Sequence, residues 1–359
     1  MVKADSGVVT MRDVAKAAGV SQASVSYAYS GSPRISPGLR EQIFAIATEL
    51  GYTGPNIAGS SLRLGRIGTV GVLVPGSLAL AVEDPSTMLL LKGIVEVSEL
   101  SDVALTLLPV GDLNDDARPT KPAALRGLVD GVVMHCLPNE HPVISAIIAR
   151  GIPAVAIDSP RLPKIPYVTV DHRAGGFLQM NHVLALGHRR IGIITDQYGP
   201  VSTPGFRSHV DANAATETYL RERLTGYFEA CAAAKHVREG DVRLIEAAGI
   251  DMQSGIAAAA ALIETDPTAI VATSDVHAAA AIRVLTDRGI RVPEDVSVIG
   301  FDDAPIADLI GLTTVRQPLV DKGRTAATML LDVINGHGRR RSVKKVELVI
   351  RSSTAATSS

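Results

Sequence analysis

The chain has no tryptophan and, in 359 residues, only five phenylalanines, seven tyrosines and two cysteines. With so few aromatics the core must be built from Ala, Val, Ile and Leu. Cys136 and Cys231 lie far apart and belong to no CxxC or Cys/His cluster, which argues against a disulfide framework or a zinc site and predicts two buried free thiols. No metal and no cofactor is expected. No apolar run is long enough to span a bilayer, and residues 1–9 lack the apolar stretch of a secretion signal, so the expectation is a cytoplasmic protein with no membrane partner. The nine histidines form no HExxH pair, and no GxSxG elbow occurs, so no catalytic site is legible and the reading is of a non-enzyme. His172 and His188 are expected as polar surface or capping residues. Gly65, Gly68 and Gly71 are spaced GxxGxxG, but they precede a strand rather than follow one, the wrong side for a dinucleotide phosphate.

What the chain does have begins at residues 10–31, TMRDVAKAAGVSQASVSYAYSG. Val14, Ala15 and Ala18 make one short apolar face, Gly19 can turn without steric cost, and Ser21 is placed to cap a second helix. That helix would turn Val25 and Ala28 inward and leave Gln22, Ala23, Ser26 and Tyr27 outside, the arrangement of a helix-turn-helix offered to double-stranded DNA. Charge agrees. Residues 1–66 hold seven Lys and Arg against four Asp and Glu, a net of +3, and the whole chain is −2, so a basic end sits on an acidic body.

These motifs, with ISPGLREQI, ELGYTGPN and SSLRLGR following in order, and with LGHRRIGIITD, RLTGY, ATSDVHAAAAIRVLTDRGIRVPEDVSVIGFDD, LTTVRQP and ELVIRSST downstream, resemble the lactose-repressor family of bacterial transcription regulators over nearly the whole chain. The resemblance implies an N-terminal all-α helix-turn-helix headpiece at 1–52, a hinge at 53–69, and at 70–359 an α/β two-lobed core like a type I periplasmic binding protein, with parallel sheets. Gln22, Ala23 and Tyr27 fall at the family's base-reading positions, and their chemistry suits adenine, a thymine methyl and a sugar or base edge. Thr10, Ser21, Ser24, Ser26 and Arg34 are expected at phosphates. Leu62 falls at the hinge leucine that wedges into the minor groove. Gly59 and Ser60 depart from the family's usual hinge and weaken its helix.

From residue 68 short β-branched runs alternate with longer periodic segments, the pattern of parallel sheets flanked by helices. Strands are expected at 67–74, 103–110, 130–135, 153–158, 167–170, 190–196, 269–275, 296–302 and 344–351, with helices near 86–100, 141–150, 172–187, 213–235, 252–265, 275–289 and 318–336. The resemblance divides them into a first lobe at about 70–165 and 315–340 and a second at about 166–314 and 341–351. An effector would sit at strand C-terminal ends between the lobes. By family position Asp158, Arg223, Ser274 and Asp302 contact it, Asp275 serves as a helix cap, Ile250 stands where sugar binders place an aromatic ring, and Met88 supplies apolar contact. The function implied is that of a repressor, a homodimer or a pair of dimers on a pseudo-palindromic operator. A sugar, a sugar phosphate or a nucleobase-like metabolite could control it, or no ligand at all. A dehydrogenase and a transport-associated binding protein are the competing classes, and binding to promoter DNA separates them.

Overall fold

A computed structural model of the chain describes residues 9–54, 67–97, 103–110, 128–196, 198, 203–207, 212–234, 237–238, 240–338 and 340–357. The expected hinge elements Gly59, Ser60 and Leu62 lie outside these residues. The chain divides into two compact units, Met1–Ile67 and Gly68–Ser359.

The first unit holds α1 (Met11–Ala18), α2 (Gln22–Tyr29) and α3 (Pro37–Glu49). At the start of α1 the Asp13 carboxylate accepts from the Thr10 N–H at 2.9 Å and the Thr10 hydroxyl at 2.6 Å. Gly19 ends that helix at φ 66°, a left-handed conformation that closes the turn through a Val20 N–H bond to the Ala15 carbonyl at 3.0 Å. Ser21 caps α2 as its position predicts, accepting from the Ser24 N–H at 3.1 Å. Val14, Ala15, Val25, Ala28, Ile35, Ile43 and Ala47 form the buried centre. Tyr29 packs edge-on against Phe44 and Tyr52.

The second unit contains two sheets, one per lobe. The first is ordered β12-β5-β4-β3-β1-β2 and all its pairings are parallel, with β1 (Thr69–Pro75), β2 (Ala104–Val110), β3 (Gly131–His135), β4 (Ala154–Ile157), β5 (Tyr167–Val170) and β12 (Arg341–Lys344). The second is ordered β13-β11-β10-β9-β6-β8-β7 and includes β6 (Ile191–Thr195), β7 (Gly205–Phe206), β8 (Val242–Glu246), β9 (Ala269–Ala272), β10 (Ser297–Asp302), β11 (Thr313–Arg316) and β13 (Glu347–Val349). Only the edge pairings of β7 and β13 are antiparallel there. The strand at 167–170, expected in the second lobe, pairs with β4 and β12 in the first. Residues 341–344 likewise belong to the first sheet, and 313–316 to the second. The chain therefore crosses after Val170, Arg316 and Lys344, because each of these short strands completes its ladder before leaving its sheet. The strands β7, β8, β11 and β12 were not foreseen: β8 is VRLIE and β12 is RSVK, edge or near-edge segments too polar to read as buried runs, and β7 is two residues long.

Helices cover both faces of each sheet. In the first lobe α4 (Leu78–Glu83), α5 (Pro85–Val95) and α12 (Leu319–Ile334) lie on one face and α6 (Pro142–Ala149) on the other. In the second lobe α7 (His172–Ala185) and α8 (Thr218–Ala233) lie on one face, with α9 (Met252–Ile263) and α10 (Asp275–Asp287) on the other and the short α11 (Pro305–Leu309) beside them. One device serves both lobes. A Cβ at Gly93 of α5 would strike the Val320 carbonyl of α12, and one at Gly323 of α12 would strike the Leu90 carbonyl of α5. Gly176 of α7 and Gly226 of α8 meet the partner backbone at Arg223 and Arg173 in the same way. Each lobe thus has a glycine-seated helix pair, with no side chain between the backbones.

Candidate functional site

On the headpiece Gln22 and Ala23 are exposed at the start of α2, Tyr27 and Ser26 are half-buried, and Val25 and Ala28 face the core. Arg34 donates from Nη1 to the Tyr27 hydroxyl at 3.2 Å, with its guanidinium 5.7 Å from the ring centroid. An expected base reader and an expected phosphate ligand therefore form one unit. The Thr10 hydroxyl is committed to Asp13, and the Ser21 and Ser24 hydroxyls lie 2.9 Å apart, so these three shape the helix ends themselves.

In the core, parallel strands bring their C-terminal ends to one cleft, a cavity of about 320 Å³. It is lined from the first lobe by Asp84, Ser86, His135, Cys136 and Asp158, and from the second by Asp196, Glu217, Arg223, Ile250, Ser274 and Asp302. Of the expected effector residues, the fold gathers Asp158, Arg223, Ile250, Ser274 and Asp302 here. Met88 is not among them. It is 45% exposed, because the buried stripe of α5 runs through Thr87, Leu90, Leu91 and Ile94, and a helix turns the next residue about 100° away. Ser86 and Thr87 occupy the cleft side instead. Ile250 gives that wall an aliphatic side chain in place of an aromatic one.

Backbone geometry marks the same place. Cys136, Asp158 and Asp302, all at strand ends in the cleft, have φ of 47°, 63° and 122°. Left-handed conformations of this kind cost of order 1–3 kcal/mol each and persist only where the surroundings impose them. They turn the three side chains toward the cavity.

Asp158 is buried in the cleft wall. Its Oδ1 accepts from the Thr169 hydroxyl at 2.9 Å and from His172 Nε2 at 2.8 Å, and its Oδ2 accepts from Lys322 Nζ at 2.5 Å. Burial pushes this carboxyl's pKa up, but the Lys322 ammonium and the His172 contact together outweigh it and hold the group well below the ordinary carboxylate range. Burial drives His172 down to about 3, so the ring is neutral. The tautomer follows from its neighbours: Nε2–H donates to Asp158, and Nδ1 accepts from Arg223 Nε at 3.2 Å. His172 is thus a buried relay rather than the expected surface or capping residue; Asp171 caps α7. His188 is buried as well, with Nε2 3.0 Å from both the Ser297 hydroxyl and the Ala355 carbonyl.

Asp302 is the second hub. It accepts from Gln317 Nε2 at 2.6 Å and from the Ser86 hydroxyl of the other lobe at 3.0 Å, with Arg223 Nη2 3.9 Å away. Burial raises its pKa to about 6, eased by Arg223 and reinforced by Asp84. Gln317 Oε1 accepts from Lys322 at 2.7 Å, which joins the two hubs. Arg223 spends Nε on His172 and Nη1 on the Thr273 carbonyl, and its guanidinium lies 3.6 Å from the Phe301 ring centroid. Only Nη2 is left to face Asp302. Ser274, not Asp275, caps α10, accepting from the His277 N–H at 3.2 Å. Asp275 is held inside by the Thr314 hydroxyl at 2.6 Å and the Ala304 N–H at 2.7 Å, and burial beside Asp302 raises its pKa well above the usual range.

A third cross-cleft contact runs from the Ser159 hydroxyl to Glu217 at 2.8 Å, and a fourth from Arg161 to Glu222. Glu217, at the start of α8, is pushed up to about 8, chiefly by burial. Lys322, Gln317, Glu217, Ser86 and Asp196 escaped the sequence reading. Lys322 was findable, since it sits in phase with Leu319, Ala326 and Met329 on the buried stripe of α12, where a lone Lys needs a partner. The cysteines are free and half-buried. His135, Cys136 and Asp158 bring one ligand atom each within 4.8 Å of one another, a grouping the spacing search passed over. Asp158 already shares its oxygens with the Lys322 ammonium, which repels a further cation.

Residues 10–56 match the bacterial regulatory proteins of the lacI family, and residues 180–354 match the periplasmic binding protein-like domain. The chain is 33% identical over 325 residues, 90% of each chain, to the HTH-type transcriptional regulator Rv3575c of Mycobacterium tuberculosis. It is similar to the lac repressor dimer bound to operator and the anti-inducer ONPF, with 25% identity, a TM-score of 0.75 and coverage of 98% of this chain and 100% of that one. It is also similar to the transcriptional regulator CelR in its cellobiose complex, at 30% identity, a TM-score of 0.65 and coverage of 96% and 99%. No helix among the described residues is long and apolar enough to cross a membrane. A helix-turn-helix, a two-lobed cleft and relatives matched across nine-tenths of the chain place this protein in the LacI family of DNA-binding bacterial transcriptional regulators.

Proposed function

We propose that the protein is a cytoplasmic repressor that binds a pseudo-palindromic operator as a dimer and responds to a sugar or related metabolite in the inter-lobe cleft. The observation that carries the reading is the cleft itself: two second-lobe carboxylates, Asp302 and Glu217, are each bridged by a first-lobe serine, Ser86 and Ser159. A ligand with hydroxyl groups can replace either serine as donor, so its binding acts directly on the bonds that hold the lobes together. Asp302, Arg223 Nη2 and the Ser274 region would meet the ligand's polar groups, and Ile250 its apolar surface. Asp158 would serve as the anchor behind them, since both of its oxygens are occupied.

Gln22, Ala23 and Tyr27 would read bases, with Arg34 steadying Tyr27 and itself reaching a phosphate along with Ser26. Leu62 would enter the minor groove from the hinge. Doubling so small a headpiece by symmetry multiplies its specificity. Leu78 and Val82 of α4 and Met88 and Val95 of α5 are exposed apolar side chains on the first lobe, which supports association through that face.

Footprinting of the purified protein on DNA flanking its own gene, followed by operator titration with and without ligands found by thermal shift, tests the reading. A two-fold symmetric site whose affinity changes with a ligand is the expected result. Full-affinity binding of a monomer to one asymmetric half-site would overturn it. Asp302→Asn should cost roughly 1.5 to 3 kcal/mol of ligand affinity and leave ligand-free operator binding in place.

A further inference from the structure

Among the described residues five carboxyl groups line the cavity, those of Asp84, Asp158, Asp196, Glu217 and Asp302, against one cationic lining side chain, Arg223. Three of the five are satisfied from within. Asp158 has Lys322, Asp302 has Gln317, Ser86 and the nearby Arg223, and Asp84 accepts from the Ser86 and Thr87 N–H groups and the Thr87 hydroxyl. Asp196 accepts from the Tyr219, Thr195 and Thr273 hydroxyls and Glu217 from Ser159, and like Asp84 neither forms an ion pair among the described residues. Arg221, the cation that acts on Glu217, donates to the Ala215 and Thr216 carbonyls instead.

His135, nine-tenths buried in the opposite wall of the cavity, brings no positive charge to it, because burial favours the neutral ring. The described lining thus holds more carboxyl groups than cationic ones, and of its one cation only Arg223 Nη2 is left to donate. In a partly dehydrated cleft such a wall repels phosphate and carboxylate groups and attracts a cation.

We infer that the effector carries a protonated nitrogen, seated against Glu217 and Asp196, with the polar remainder of the molecule toward Asp302 and Arg223. This rests on the effector-cleft reading above. It narrows the metabolite to an amine-bearing one and sets aside phosphate esters. The proton balance is definite. Glu217 faces Asp196, Glu140, Arg221, Tyr219 and Cys136, and the Tyr219 and Cys136 groups are themselves raised and stay neutral at pH 7. An arriving ammonium therefore favours the Glu217 carboxylate, and one proton passes from Glu217 to the buffer.

The probe is a protein-free extract of the source cells, separated at pH 7 into cation-exchange-bound, anion-exchange-bound and unbound small molecules. Each fraction is tested by thermal shift on the full-length protein and on two near-isosteric variants, Glu217→Gln and Asp196→Asn. The cation-exchange fraction should raise the wild-type melting temperature by about 2–4 °C, and at least one variant that melts cooperatively should lose that shift. Activity confined to the unbound or anion-exchange fraction would overturn the proposal while leaving an effector in the cleft. Full shifts with both variants would overturn the seat. If no fraction shifts the wild type, the effector reading itself falls, and this inference with it.

Discussion

Lys322 is the residue on which the Asp158 side of the cleft depends. It is fully buried, and its ammonium is shared between Asp158 and Gln317. Removing one member of a buried pair strands the other, so Lys322→Met should destabilise the core by about 3–5 kcal/mol, measured by urea unfolding. A loss under 1 kcal/mol would mean that Asp158 is held by His172 and Thr169 alone. Glu217 makes a prediction of opposite sign in pH. Its folded pKa of about 8 lies above the ordinary 4.5, so the stability it contributes is complete at low pH and is lost as pH rises through 8. His172, at about 3 against 6.5, works from the other side and costs stability as pH falls below 6.5. The melting temperature should therefore decline between pH 6.5 and 8.5 in the wild type and decline less in Glu217→Gln. Parallel curves for the two proteins would show that Glu217 titrates normally.

At the scale of elements, the glycine pairs set how closely the helices can approach. Gly323→Ala would drive a methyl into the Leu90 carbonyl, and Gly176→Ala one into that of Arg223. Neither clash can be relieved by turning a side chain, so each substitution should cost about 1–3 kcal/mol although Ala is the better helix former. Gain of stability in either variant would show that the helices separate freely. In the headpiece the short helices owe their ends to Asp13, Gly19 and Ser21, and the last two were legible because capping depends on residues a few positions apart. Met88 was misplaced for a related reason. Met88 itself was read as a cleft contact, but only the phase of α5 against its sheet decides which of its residues face inward.

For the molecule as a whole, the lobes meet through a few polar bonds rather than through a continuous apolar face. Ser86 to Asp302 and Ser159 to Glu217 are each worth about 1 kcal/mol, so losing both should shift the balance of lobe positions by roughly thirtyfold. Small-angle scattering of Ser86→Ala/Ser159→Ala should show a larger radius of gyration than the wild type, and an unchanged value would place the hold on the lobes elsewhere, in Arg161 and Glu222 for example.

The amino-acid sequence by itself determined the helix-turn-helix, the alternation of strands and helices, the two-lobed plan and most of the strand-end residues of the cleft, because each is written in local periodicity, capping and collinear motifs. Tertiary structure decided the rest. Which sheet claims 167–170, 313–316 and 341–344 depends on pairing with distant strands, and the partnership of Lys322 with Asp158 spans 164 positions. So does the state of the ionisable groups: His172 and Glu217 look ordinary in sequence, and burial beside particular neighbours, which no local pattern encodes, makes one a neutral relay and the other an acid that holds its proton near pH 7.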